Sequence, residues 1–268
     1  MLYPVSMTSS WKRFERAAPT YDLHNEPQVR TADALLSLLP DLPAGARILE
    51  VGCGTGLLTC RLATRYPLAI LDALDPAGAL IEVASRRPEC SGRARWIVSS
   101  VESYTPDDCY SLIVSSAALH WIWPLGPVLA RMAGWMHSGS ILAAAVMVSG
   151  TLAELHAARR TAAPDKPPLR DFPSAGDIEL GIDRAGLKTE HLETLTFVTG
   201  APSAAVLLRS LREQGVTGGD LSRGQAPLTR QEIRRLIELY DGQYDGAGGV
   251  QATYRVALAL ARCPRSHG

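Results

Sequence analysis

Ile48-Leu-Glu-Val-Gly-Cys-Gly-Thr-Gly56 decides the fold of this chain. Apolar residues flank one acid, three glycines alternate with Cys53 and Thr55, and Leu57-Leu-Thr-Cys-Arg-Leu62 opens a helical pattern. This reads as a buried strand, a turn too tight for side chains, and the start of a helix. Glycines at 52, 54 and 56 tolerate positive φ and let the backbone approach a ligand with no Cβ in the way. A dinucleotide fingerprint would carry its third glycine one residue later, where this chain has Leu57.

Outward from this stretch the same rhythm repeats. Residues 8–40 read as helical, closing on Leu35, Leu36, Leu38 and Leu39 before Pro40. Arg47–Val51 is the first strand, and Leu68–Leu74 is a second, ending at Asp75-Pro76 and followed by a helix to about Arg87. Arg95–Val98, Tyr110–Ser116 and Ile141–Val148 give three more strands, the last after a turn at His137-Ser-Gly139. Strands alternating with helices at this spacing predict a parallel sheet covered on both faces.

Past Ser149 the pattern changes. Residues 162–173, rich in proline and charge, read as a loop over the carboxyl edge of the sheet. Ser174–Gly186 reads as a helix, with Ser174 as N-cap, Asp177 completing a capping box and Gly186 ending it. Thr189–Val198 alternates as an antiparallel strand, Ser203–Gln214 and Thr229–Tyr240 read as helices around a glycine-rich stretch, and Ala252–Ala261 as a final strand. The expected organisation is a helical cover over residues 1–45, a core over 46–150, and 151–262 completing the core around a helical cap (about 150–173 and 200–250).

At 268 residues the chain has room for one large α/β domain. It balances 27 Lys+Arg against 27 Asp+Glu, so no global field favours nucleic acid or an anionic membrane. The first seven residues, Met1 to Met7, carry no basic-then-apolar leader, and translation could start at either methionine. No apolar run of about 18 residues occurs. Five scattered cysteines (53, 60, 90, 109, 263) without a C-x-x-C pair argue against a disulfide frame and a metal site. These features describe a reduced, soluble, cytoplasmic monomer.

Ligands of open α/β sheets bind at the carboxyl ends of the strands, where the strand order reverses. The glycine turn, with Glu50 closing its strand, falls there. So does Asp75, a carboxylate placed to accept both ribose hydroxyls of a nucleoside and also able to cap the following helix. Ser100-Val-Glu102 follows the third strand, where an adenine would rest, and Ser115 and Ser116 end the fourth.

The Glu50-to-Gly56 pattern resembles motif I of class I S-adenosylmethionine-dependent methyltransferases. Other segments resemble the BioC family, the malonyl-acyl-carrier-protein O-methyltransferases of biotin synthesis. They are Phe14-Glu-Arg-Ala-Ala18 with Tyr21 and Gln28; Ser115-Ser-Ala-Ala-Leu-His-Trp121; Gly150-Thr-Leu-Ala-Glu-Leu155; Ser210-Leu-Arg-Glu-Gln-Gly-Val-Thr217; Leu228-Thr-Arg230; and Thr253-Tyr254. The likeness runs from about residue 12 to residue 262. It departs from the family at His120, where Gln is usual, at Arg212 for Lys and at Ser100 for Asp.

The resemblance implies a Rossmann-like class I methyltransferase: a seven-stranded, mostly parallel sheet with one antiparallel strand and a small helical cap. It implies S-adenosyl-L-methionine held by Gln28, Glu50, Gly52, Gly54, Gly56, Asp75, Pro76, Ser100, Val101, Glu102 and Ser116. The acceptor would be the free carboxylate of a malonyl thioester, on acyl-carrier protein or coenzyme A. That carboxylate is ionised near neutral pH and needs no base. Tyr21 and His120 are the neutral groups expected at the reacting centre, with Trp121 and Phe172 as pocket walls and Arg170 as the cation that recognises the acceptor. An acidic carrier protein would dock on the cap arginines, Arg209, Arg212, Arg223, Arg230, Arg234 and Arg235, of which 209, 212, 234 and 235 are the leading candidates. Two other readings stay open: a small-molecule carboxyl methyltransferase resembling the trans-aconitate enzymes, and a cofactor-binding protein without turnover. An NAD-linked oxidoreductase is disfavoured by Leu57 and by the lack of a Tyr-x-x-x-Lys pair, and nucleic-acid methylation by the neutral charge balance.

Overall fold

Arg47–Val51 (β1) lies third in a seven-stranded sheet of order β3-β2-β1-β4-β5-β7-β6. The computed structural model describes residues 11–222, 224, 226–244 and 248–264. The other strands are Ile70–Asp75 (β2), Arg95–Val98 (β3), Tyr110–Ser116 (β4), Met136–Met147 (β5), Lys188–Ala201 (β6) and Val250–Arg262 (β7). The helices are Trp11–Ala17 (α1), Glu26–Leu38 (α2), Leu57–Arg65 (α3), Gly78–Ser85 (α4) and Leu125–Ala133 (α5), then Ala153–Ala162 (α6), Ala175–Arg184 (α7), Ala204–Glu213 (α8) and Arg230–Asp241 (α9).

The first five strands run parallel, and helices bury both faces of all but the edge strand β3, whose ends are exposed. Side chains alternate across a strand. Ile48, Leu112, Val114 and Ile141 therefore pack on one face with Leu35, Leu58, Leu62 and the cap residues Leu207 and Leu236. Leu49, Val51, Ile113 and Leu142 pack on the other with Leu129, Met132, Ile178 and Ile182. Burial on both sides is why these strands read as near-continuous apolar runs. β7 is antiparallel to both neighbours and is the one reversed strand; β6 pairs with β7 alone. The order of the strands reverses between β1 and β4, and this opens the crevice at their carboxyl ends.

Several sequence expectations are corrected. The helical reading of residues 8–40 breaks into α1, a 3-10 turn at Tyr21–His24 and α2, with residues 8–10 outside the described part. Pro19 and Pro27 cause the break, since each lacks a backbone N–H. The turn expected at 137–139 is strand: β5 starts at Met136 and takes up its extra residues as an irregularity opposite Tyr110–Leu112. Helix α6 was not anticipated. Cys60 on α3 and Cys90, in the turn after α4, are joined in a disulfide, with Cα atoms 4.8 Å apart. Thirty residues of sequence hide a contact that the packing of α3 beside that turn creates. The capping box of α7 forms as expected, and Gly186 follows at φ +76°. No helix among the described residues is long and apolar enough to cross a membrane.

The N-terminal segment is tied to the far end of α8. Arg13 donates to the carbonyls of Gly215 and Gly218, and Thr20 donates to that of Glu213 at 2.8 Å. His24 Nε2 lies 2.6 Å from the Glu213 carboxylate, and Gln214 donates to the His24 carbonyl. The cover and the cap therefore form one roof above the carboxyl edge of β1 and β4.

Two glycines with the same φ of +76° separate conformational need from space. A Cβ on Gly52 would sit 2.3 Å from Ala118 Cβ, whereas one on Gly45 would meet nothing within 4 Å. Gly45→Ala carries only the left-handed penalty of about 1–2 kcal/mol. Gly52→Ala should lose about 1–3 kcal/mol more through overpacking, read as the difference in urea unfolding free energy. Equal losses would mean that Ala118 moves aside freely.

Candidate active site

Two cavities meet beneath the roof and share Tyr21, Gln28, Ala117 and Trp121 as their common wall. The first lies at the carboxyl ends of β1, β2 and β4. Asp75, ending β2, anchors it: Oδ2 accepts from Gly54 N at 2.9 Å and Oδ1 from Ala77 N at 2.8 Å. Each oxygen keeps a second lone pair for a ligand. Burial pushes this carboxyl up to about 6, while the two N–H donors pull it down, so it is mostly ionised at neutral pH. The expected capping role is absent: Ala77 is the N-cap of α4, and Glu15 Oε1 accepts from Gly78 N.

Glu50 is 2 % exposed and accepts from Thr59 Oγ1 at 2.5 Å. Burial raises it to about 8, against the Thr59 bond, and the Asp75 charge raises it further. Tyr21 is also raised, by burial first and then by the charges of Asp75 and Asp22, so it stays a neutral phenol. Gln28 Oε1 is enclosed without a hydrogen-bond partner. Ser100, Val101 and Glu102 line the same cavity, with Pro76 and Ser116. Ser115 turns away to donate to the Val51 carbonyl at 2.8 Å and ties β4 to β1.

Of the three glycines, Gly52 and Gly54 line the cavity and Gly56 does not. A Cβ on Gly56 would meet Trp96 at 3.0 Å and Ala84 at 3.1 Å, so this glycine serves helix packing, not ligand contact. Gly54 has open space where its Cβ would be.

The second cavity, about 460 Å³, lies between the sheet edge, α6, α8 and the loop before α7. His120 is 4 % exposed, and its Nδ1 has no partner. Burial and then Arg170 push it down to about 3, so the ring is neutral. It packs 4.9 Å from Trp121 and 5.7 Å from Phe172, whose ring lies 6.4 Å from His156. Phe172 and Trp121 line this cavity.

Arg170 is not in either cavity. Its Nη2 donates to the His120 carbonyl at 2.6 Å and its guanidinium covers Trp123, so it braces the loop instead of meeting an acceptor. Arg209 and Arg212 lie exposed at the rim of the second cavity. Arg234 and Arg235 are exposed on α9 and line neither cavity, and Arg223 lies outside the described residues. The sequence reading missed Arg159, His156 and Gln214. Leu152, Leu155, His156 and Arg159 follow a helical spacing that would have shown α6 and the face it turns to this cavity.

The two cavities carry opposite charge. The first is lined by Glu50, Asp75 and Glu102 and by no Arg or Lys; the second by Arg159, Arg209 and Arg212 and by no Asp or Glu, among the described residues.

Comparison with known proteins agrees with this geometry. The family described as a methyltransferase domain matches residues 48–139. A malonyl-[acyl-carrier protein] O-methyltransferase of Acetivibrio thermocellus is 30% identical, over 93% of this chain and 91% of its own length. The chain belongs to the malonyl-[acyl-carrier protein] O-methyltransferase family. Within that family, the biotin biosynthesis bifunctional protein BioCD of Bordetella avium is 33% identical over 95% of this chain, which spans 52% of that protein. Among solved structures, the N-methyltransferase NodS of Bradyrhizobium japonicum, in complex with S-adenosyl-L-homocysteine, shares the fold. Its TM-score is 0.57 at 15% identity, covering 96% of this chain and 99% of that one.

A cationic ligand entering the acidic cavity favours ionised Glu50, which is protonated in the free protein below about pH 8. Binding should then release a proton, and the Kd for S-adenosylmethionine should fall as pH rises from 6 to 7.5, by up to about tenfold per unit. In Glu50→Gln calorimetry should show this slope flattened; identical slopes in both proteins would remove Glu50 from the linkage.

Proposed function

We propose that this chain transfers a methyl group from S-adenosylmethionine to the free carboxylate of a malonyl thioester, carried on acyl-carrier protein or coenzyme A, in biotin biosynthesis. The observation that supports it best is the charge division between the joined cavities. An acid-only cavity suits a cationic donor, and a cation-only cavity suits an anionic acceptor. The relatives' name, malonyl-[acyl-carrier protein] O-methyltransferase, gives a malonyl thioester as the methyl acceptor. The same reading takes the chain as a cytoplasmic monomer that meets its carrier protein transiently.

The residues present fit the donor. Asp75 has lone pairs free for ribose hydroxyls, the Gly54 backbone lies open to the cavity, and the unpartnered Gln28 Oε1 offers an acceptor at the shared wall. Bound S-adenosylmethionine supplies a methyl on cationic sulfur: the acceptor oxygen's lone pair forms the new C–O bond, the C–S pair stays on sulfur, and no proton moves.

The chain's own contribution is then position and exclusion of water. Negative charge on the acceptor falls during transfer, so a cation held on the reacting oxygen would stabilise the ground state more than the transition state. His120 and Tyr21, both held neutral by burial, orient a carboxylate without that cost. Trp121 stands in the wall that the two cavities share, packed on Phe14 with ring centroids 5.3 Å apart. The apolar walls of the second cavity (Met147, Leu155, Phe172, Leu208) suit a thioester chain and not a tricarboxylate, which counts against the trans-aconitate reading.

Mass spectrometry of acceptors incubated with S-adenosylmethionine tests the proposal, offering malonyl-carrier protein, malonyl coenzyme A and trans-aconitate in parallel. A gain of one methyl on a malonyl thioester, and none on trans-aconitate, is expected. A gain on the free acid alone would discard the thioester, and no gain on any acceptor would favour a binding protein without turnover.

A further inference from the structure

The basic cavity contains a charge that the protein itself leaves uncompensated. Arg159, on the last turn of α6, is 8 % exposed and forms part of the cavity wall. Among the described residues its guanidinium is held by backbone carbonyls alone. Nε and Nη2 donate to the Lys166 carbonyl at 3.2 and 2.9 Å, and Nη1 donates to the Ser222 carbonyl. A guanidinium has five N–H hydrogens, so these three bonds leave two without an acceptor among the described residues. Burial alone holds its pKa below the ordinary guanidinium value, with no carboxylate acting on it.

The neighbouring charges confirm this isolation. Lys166, whose carbonyl accepts from Arg159, pairs its own ammonium with Glu232 at 2.8 Å. Glu232 also accepts from Thr229 N in the capping box of α9, so that carboxylate is committed elsewhere. His156, one turn before Arg159, is held below its ordinary value by burial and then by Arg159 itself, so it adds no second charge. A buried cation without an ionic partner is costly unless something else neutralises it. Fixed by two loops, with donors to spare beside a cavity free of acids, the guanidinium is arranged for an anion that arrives from outside.

We infer that Arg159 is the oxyanion receptor of the acceptor cavity, and that it binds an anionic group of the incoming thioester. This inference rests on the malonyl thioester reading proposed above. Two groups of such a substrate share the required chemistry: the free carboxylate of the acyl end and a phosphate of the pantetheine arm. A cation on the reacting oxygen would stabilise the ground state, so Arg159 is assigned to binding, through a phosphate or through the carboxylate oxygen that does not react. This makes it a specificity residue whose loss should appear in KM and spare kcat.

Steady-state kinetics of the full chain with two substrates distinguishes the anions. Malonyl coenzyme A carries both carboxylate and phosphates; the malonyl thioester of N-acetylcysteamine carries the carboxylate only. Arg159→Gln should raise KM for malonyl coenzyme A at least about tenfold, with kcat and the affinity for S-adenosylmethionine nearly unchanged. Arg159→Lys, which keeps the charge, should fall between Arg159→Gln and wild type. A matching rise with the short thioester assigns Arg159 to the carboxylate, and a rise with coenzyme A alone assigns it to the phosphate.

Unchanged KM for both substrates in Arg159→Gln overturns the inference while leaving the activity standing. If Arg159→Gln does not fold, malonate and inorganic phosphate serve as inhibitors of the wild type. Competition by either anion against the thioester, and not against S-adenosylmethionine, is expected; competition by neither overturns the inference. A wild-type protein that methylates no malonyl thioester would instead overturn the reading on which the inference rests.

Discussion

One buried carboxylate holds the first cavity in shape. Asp75 ends β2 and reaches across to β1, accepting from Gly54 N with one oxygen and from Ala77 N with the other. The glycine turn and the start of α4 are thereby fixed to each other, and the remaining lone pairs point to ligand space. The arrangement depends on β1 and β2 lying side by side in register, Glu50 opposite Ala73 and Val51 opposite Leu74. A one-residue slip would turn Ile48 and Leu49 to the opposite packing faces and carry Glu50 away from Thr59. The hydrophobic core therefore sets the position of the carboxylate, and the carboxylate sets the cradle.

The second half of the site has a different origin. Its cations come from α6 and α8, outside the five parallel strands, and reach the sheet edge because the cover and cap are latched together. Arg13, Thr20, His24 and Gln214 form that latch through carbonyls and one carboxylate. The sheet supplies acids at strand ends, and the cap supplies bases on helices. The two cavities share Tyr21, Gln28, Ala117 and Trp121 as a common wall, with a change of sign across it.

How much of this was legible in the sequence follows the range of the signals. β1, β3 and β4 have the expected limits because unbroken apolar runs bounded by turns are local. Motif glycines and Asp75 sit at strand ends, so their place in the cavity follows from the strands. Long-range partners carry no such signal. Asp72 reads as one acid in a strand, yet it is buried, paired bidentately with Arg95 and bonded by Tyr110 Oη at 2.6 Å. Cys60 and Cys90 meet only because α3 packs beside the turn that carries Cys90. Gly56 has the motif spacing but a packing role, which only its distance to Trp96 reveals. Arg170 and Arg159 are both loop-proximal arginines in the sequence. Which one faces the cavity depends on which carbonyls each one finds.

Calorimetric titration of S-adenosylhomocysteine into wild type and Asp75→Asn tests the account at its centre. Charge-assisted bonds to two ribose hydroxyls should be lost, raising Kd at least about tenfold while unfolding stays cooperative. An Asp75→Asn protein that folds and binds the nucleoside as tightly as wild type would contradict the assignment of this cavity, and of the carboxylate that shapes it, to the donor.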